Sequence, residues 1–269
     1  MTKNLDQNGF RSIVNNYDLF FIDIWGVIHN GINLFDEAVN TLENLKKLNK
    51  EYVLLTNAPR PNFSVVNFLK KMGLDEKHCS RVYASGQAAL MFLKKKYKNN
   101  KFFHIGPPRD FDLFLSFKEN KVNNLNNCEF ILCTGLFDEN MDNLDYYKDL
   151  LKHKINLKMI CTNPDLVVDK GNRTEFCAGT VAKIFEDLGG KVDYFGKPYP
   201  LIYELSAELK NKKVLCIGDN INTDIKGANN QNFSSLFISS GIHKNEKHLK
   251  DFFNNYKVKV NYMQSYLKW

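Results

Sequence analysis

Five polar residues at the ends of apolar runs carry the chemistry this chain is equipped for. Asp23 closes Leu19-Phe20-Phe21-Ile22, Thr56 closes Tyr52-Val53-Leu54-Leu55, and Asp219 follows Val214-Leu215-Cys216-Ile217-Gly218, with Asp224 a short step beyond. Lys197 follows Val192-Asp193-Tyr194-Phe195-Gly196 and precedes Pro198. In an open parallel sheet the carboxyl ends of the strands form the ligand crevice, so acids in these places point at one shared site. Each segment alone is ordinary, since an Asp after a strand often caps the next helix; their joint placement in order identifies a site. A carboxylate nucleophile, a lysine, a hydroxyl donor and carboxylates suited to Mg2+ are the equipment for displacement at phosphorus, where charge builds on equatorial oxygens. On this reading Asp23 attacks to form an aspartyl-phosphate. Asp23 and Asp219 hold Mg2+, which takes octahedral oxygen ligands and usually one or two carboxylates beside phosphate and water. Thr56 and Lys197 bind phosphate oxygens, and Asp224 orients the lysine or a metal-bound water.

Regular elements must position these groups. Between the first two apolar runs, Phe35, Ala38, Val39, Leu42, Leu45 and Leu48 recur at helical spacing, a strand-helix-strand unit. A helix follows Pro61, with Val65, Val66, Leu69 and Met72 on one face and Gly73 as its stop, and another runs from Ser85 through Tyr97. The pattern then restarts with short strands at Phe102-Ile105, Phe130-Cys133 and Met159-Cys161, while the Asn-rich stretch Val122 to Asn127 reads as a loop. After Gly189-Gly190, the runs Val192-Phe195, Val214-Ile217 and Leu236-Ile238 read as a return to the first sheet. The expected architecture is α/β: a doubly wound, Rossmann-like core with a parallel sheet over residues 1–83 and 192–269, and an inserted smaller α/β domain over residues 84–191.

Composition narrows the partners. The 269 residues carry a formal net charge of +7, from lysines spread along helical segments. Runs such as Lys46-Lys47 and Lys94-Lys95-Lys96 are short and lack interleaved aromatics, which argues against nucleic-acid binding. A mildly basic field draws anionic substrates. The six cysteines, Cys79, Cys128, Cys133, Cys161, Cys177 and Cys216, show no paired spacing and read as buried thiols of a reducing compartment. The six histidines are not clustered as a zinc site requires. Met1-Thr2-Lys3-Asn4-Leu5 contains no apolar signal region and no apolar stretch reaches membrane-spanning length, so a cytoplasmic protein without membrane partners is expected.

Together with Thr162-Asn163-Pro164-Asp165, Cys177-Ala178-Gly179-Thr180 and Gly196-Lys197-Pro198, the core segments resemble the haloacid dehalogenase superfamily. The closest pattern is that of its class IIA members, which carry a large α/β cap, and the resemblance covers nearly the whole chain. It implies a magnesium-dependent phosphatase core in which the metal also takes the backbone carbonyl of Trp25 and Asn57 supports phosphate beside Thr56. It also implies that the Asn-Pro-Asp element lies over the active site, so that Asn163 and Asp165 face substrate, although a tight Asn-Pro turn accounts for the same residues. Arg173 and Glu175 read as a surface ion pair, with contact to the substrate body the alternative.

One departure stands out. Superfamily phosphatases carry a second Asp two residues after the nucleophile, which protonates the leaving group and then activates water; this chain has Trp25 there. An indole does no acid-base work, and loss of a general acid or base costs about 10²–10⁴-fold, roughly 3–5 kcal/mol of barrier. His29 is the nearest substitute acid, against the reading of a polar flap residue beside Gly31. The expected function is magnesium-dependent hydrolysis of a small phosphorylated metabolite chosen by the cap. The alternative is a protein that holds such a ligand with magnesium, Thr56 and Lys197, without turnover, in a sensing or interaction role. A phospho-receiver is a poorer match, because receivers are shorter and carry an acidic pair after their first strand.

Overall fold

The computed structural model describes residues 2–170 and 173–269. The strands are, in chain order, β1 (Lys3–Asn4), β2 (Leu19–Ile22), β3 (Glu51–Thr56), β4 (Val82–Ala84), β5 (Phe102–Ile105), β6 (Lys121–Val122) and β7 (Phe130–Cys133). They continue with β8 (Lys158–Cys161), β9 (Val167–Lys170), β10 (Arg173–Phe176), β11 (Lys191–Tyr194), β12 (Val214–Gly218), β13 (Ser234–Ile238) and β14 (Tyr262–Gln264). One sheet has the order β1-β14-β13-β12-β2-β3-β4 and every neighbouring pair in it is parallel. From β2 the chain winds outward to β3 and β4 on one side, and β12 restarts on the other, so β2 and β12 flank the switch point where such sheets bind ligands.

The central strands are buried on both faces, which is why they read as continuous apolar runs. Phe20 and Ile22 pack with Ala38, Leu42 and Leu45 of the helix Asp36–Lys47 and with Val65 and Leu69 of the helix Asn62–Lys71. Leu19 and Phe21, alternating with them, face Ile202, Tyr203 and Ala228 on the other side. Helices on both faces make the sheet doubly wound. Phe20 is fully buried, and its ring meets Phe10 edge-on at 5.4 Å. Phe20→Ala is therefore expected to destabilise the fold by about 3–5 kcal/mol in chemical denaturation, the cost of a vacated aromatic site.

The second sheet is also all-parallel, in the order β11-β8-β7-β5-β6, and β9 and β10 form a separate antiparallel hairpin. Here one expectation is corrected. The run Val192–Phe195, placed above with the first sheet, supplies β11, which pairs with β8 of the second. A short edge strand bears no mark of its partner, so the return to the core sheet comes only with β12. The Asn-rich stretch holds one end of β6 and a short 3₁₀ turn, Leu125–Asn127. All six cysteines are buried and free. Among the described residues no helix is long and apolar enough to cross a membrane.

Candidate active site

Register brings the two principal carboxylates side by side. Ile217 of β12 pairs with Ile22 of β2, so Asp23 and Asp219 leave adjacent strand ends in the same direction. Ligand oxygens of Asp23, Asp219 and Asp224 all lie within 4.8 Å of one another, and all three residues are buried. Glycine makes this approach possible: a Cβ on Gly26, whose φ is +85°, would fall 2.1 Å from Asp219 Oδ2. The Lys197 ammonium, also buried, donates to Asp23 Oδ1 (2.5 Å), Asp224 Oδ1 (2.6 Å) and the Leu55 carbonyl (3.0 Å). Burial alone would lower the lysine, but Asp224, Asp23 and Asp165 around it hold it above its ordinary range and keep it charged.

The acids respond in the opposite sense. Burial raises Asp23 well above the usual carboxylate range, with Asp224 and Asp219 adding to it and Lys197 opposing. Burial and Asp224 push Asp219 up to about 7, against the Ile242 N–H, which donates to its Oδ2 at 2.8 Å. Three buried carboxylates against one ammonium leave an excess of negative charge that an oxygen-loving divalent cation would neutralise. The free acceptors suggest the division of labour. Asp224 spends Oδ1 on Lys197 and Oδ2 on the Asn220 N–H (3.2 Å), whereas Asp23 and Asp219 each bond through one oxygen only, Oδ1 to Lys197 and Oδ2 to the Ile242 N–H.

Thr56 lines the same crevice; its Oγ1 accepts the Ala58 N–H at 3.2 Å, which leaves the hydroxyl proton available to donate. Asn57 has another task. Its Oδ1 accepts from Lys197 N–H (2.7 Å), and its Nδ2 donates to the Lys197 carbonyl (3.0 Å) and to Asp165 Oδ1 (3.2 Å). Expected beside phosphate, this carboxamide is instead committed to holding the peptide of Lys197 and one cap carboxylate. Asp165 does line the crevice, and desolvation pushes its carboxyl up to about 6, with Lys197 opposing. Asn163 does not line it: its Oδ1 accepts the Asp165 N–H at 3.0 Å, the tight-turn role. Arg173 and Glu175 sit on β10 and are not among the lining residues.

His29 is corrected more sharply. The ring is buried and packs edge-on against Trp25 at 5.0 Å and Phe68 at 5.6 Å. Its Nδ1 accepts the Gly31 N–H (2.9 Å), and it is not part of the crevice wall. Burial lowers it to about 4, so it is neutral at physiological pH. A neutral ring packed beneath the wall is no proton donor to a leaving group.

Sequence reasoning missed the remaining wall: Asn30, Phe35, Val167, Val168, Asp169 and the stretch Ser240, Gly241, Ile242 and Lys244. The Ile242 contribution is a main-chain N–H, which every residue but proline possesses, so no residue type marks it.

The relatives of the chain identify the family to which this fold belongs. The model of haloacid dehalogenase-like hydrolases matches residues 20–116, and a second, HAD-hydrolase-like model matches 194–263. A hydrolase of the haloacid dehalogenase-like family from Brucella suis is 31% identical and superposes with a TM-score of 0.81, covering 87% of this chain and 90% of its own. The chain belongs to the haloacid dehalogenase-like hydrolases, with the large α/β cap of class IIA. Among its relatives, the 4-nitrophenylphosphatase of Schizosaccharomyces pombe is 21% identical, covering 90% of each chain. The acid sugar phosphatase of Staphylococcus epidermidis is 22% identical, over 85% of this chain and 89% of its own.

Proposed function

We propose that this enzyme hydrolyses small phosphate monoesters through an aspartyl-phosphate on Asp23, with Mg2+ as its cofactor. The observation that carries the reading is the arrangement of Asp23, Asp219 and Asp224 around the buried Lys197 ammonium at one end of β2 and β12. Asp23, Asp219 and the Trp25 carbonyl are the groups we assign to the cation, which when bound neutralises phosphate charge in the transition state. Lys197 and Thr56 hold phosphoryl oxygens, so that the ester phosphorus faces the Asp23 carboxylate. Attack by one of its oxygens forms the new P–O bond as the ester oxygen leaves with its electron pair and takes a proton from solvent; water then attacks phosphorus, the P–O bond to Asp23 breaks, and phosphate and the free carboxylate are released. Asn57 keeps Lys197 in place through both of its peptide groups.

The relatives named for phosphorylated substrates, 4-nitrophenyl phosphate and sugar phosphates among them, support the choice of small monoesters. The test is a panel of phosphate esters assayed with magnesium, with Asp23→Asn as the blank. Absence of turnover above that blank would leave only the alternative, ligand binding without hydrolysis, which Trp25 in place of an acid favours.

The roles of the three acids are separable. Asp219→Ala is expected to weaken magnesium binding by at least tenfold in calorimetric titration, because it removes a direct ligand. Asp224→Ala should weaken it less, since both of its oxygens already serve Lys197 and a backbone N–H. Equal losses would overturn the assignment.

A further inference from the structure

The crevice is lined by more than the charged cluster of Asp23, Lys197, Asp219 and Asp224: Trp25, Phe35, Val167, Val168 and Ile242 add apolar surface, interleaved with Asn30, Asp169, Ser240 and Lys244. Val167 and Val168 belong to β9, so this wall is shared between core and cap. Trp25 is the core aromatic of this wall that bonds to the cap. Its indole is seated closely: Gly31 has φ +88°, and a Cβ there would lie 2.6 Å from Trp25 Cζ2, while His29 supports the ring from beneath. From that seat the indole N–H donates to the main-chain carbonyl of Asp169 on β9, at 2.5 Å. The side chain of Asp169 is committed as well, accepting from Thr174 Oγ1 (2.7 Å) across the hairpin and facing Lys244 Nζ of the core at 3.8 Å.

We propose that Trp25 is a specificity-determining residue that fixes the β9–β10 hairpin against the core, closing the leaving-group side of the crevice to all but compact esters. This rests on the proposed phosphatase reading. Its physical basis is separate: a single indole supplies both a wall and a hydrogen bond that sets where the opposite wall stands. An Asp at this position would supply neither.

Two variants test it. Trp25→Phe keeps an aromatic wall and loses the N–H; Gly31→Ala keeps Trp25 and displaces its ring. In the metal-free protein without substrate, amide exchange within Val167–Lys170 and Arg173–Phe176 is expected to quicken on the order of tenfold in both variants, the scale of one hydrogen bond. Exchange in β2 and β12 should stay as in wild type, which also controls for folding. With magnesium, the wild-type preference for 4-nitrophenyl phosphate over the bulkier 4-methylumbelliferyl phosphate should shrink at least about fivefold, mainly through KM. Unchanged hairpin exchange together with unchanged preference in a folded Trp25→Phe protein overturns the proposal. Wild-type turnover of neither ester above the Asp23→Asn blank overturns the phosphatase reading instead, and the exchange measurement then decides the fastening by itself.

Discussion

Asp23→Asn is expected to lower turnover of every phosphate ester by about 10⁴-fold or more, the scale at which removal of one member of a cooperating catalytic group acts. An amide oxygen is too weak a nucleophile to displace an alkoxide or phenoxide from phosphorus. The fold should survive the change. Lys197 keeps Asp224 and the Leu55 carbonyl as acceptors, and one of three crowded carboxylates is gone. Thermal melting of the metal-free variant should accordingly show no loss of stability. A variant that melts normally and still turns over at wild-type rates would remove Asp23 from the mechanism.

The second large effect concerns the leaving group. With Trp25 where an acid would protonate the departing oxygen, aryl and acyl phosphates lose little, since their leaving groups depart without a proton. Alkyl phosphates bear a penalty of about two to four decades. A plot of log kcat against leaving-group pKa should therefore fall steeply. Trp25→Asp is expected to flatten it, at the cost of the indole's packing on His29 and its bond to the Asp169 carbonyl. Its stability must be measured beside its rates. If wild type already hydrolyses alkyl and aryl esters alike with chemistry rate-limiting, a crevice carboxyl is supplying the proton. With His29 neutral and packed away, Asp165, raised to about 6, is the group left to do so. Asp165→Asn should then restore the steep dependence.

The readable parts of the chain were those where physics leaves a residue-type signature. Strands β2, β3 and β12 are buried on both faces, so their runs are unbroken and the polar residue that ends each is conspicuous. The sheet's switch point then brings Asp23, Thr56, Asp219 and Asp224 into one place; Lys197 follows β11 of the other sheet and reaches them through the chain that leads back to the core. Partnership was not readable. β11 looks the same whether its neighbour lies in one sheet or the other, and one exposed and three half-buried residues specify neither. Asn57 has the identity of a phosphate ligand, yet its partners come from a peptide 140 residues away. His29 is close to Asp23 in sequence, but the left-handed backbone at Gly31 opens the space that Trp25 occupies and leaves the imidazole buried behind it.

Parallel pairing of β2 with β12 has a consequence for how the chain is made. The strand that carries Asp23 has β3 on one edge, but its other edge waits for Val214–Gly218, almost two hundred residues later. During synthesis that apolar edge emerges early and stays unpaired while the cap is translated, a template for wrong strands of its own or another chain. The cap has no such interval, since strands β5 to β8 and β11 all fall within residues 102–194 and pair only among themselves. On the ribosome the inserted unit should close first, and the catalytic half-site should assemble last, when β12 docks and delivers Asp219 to Asp23.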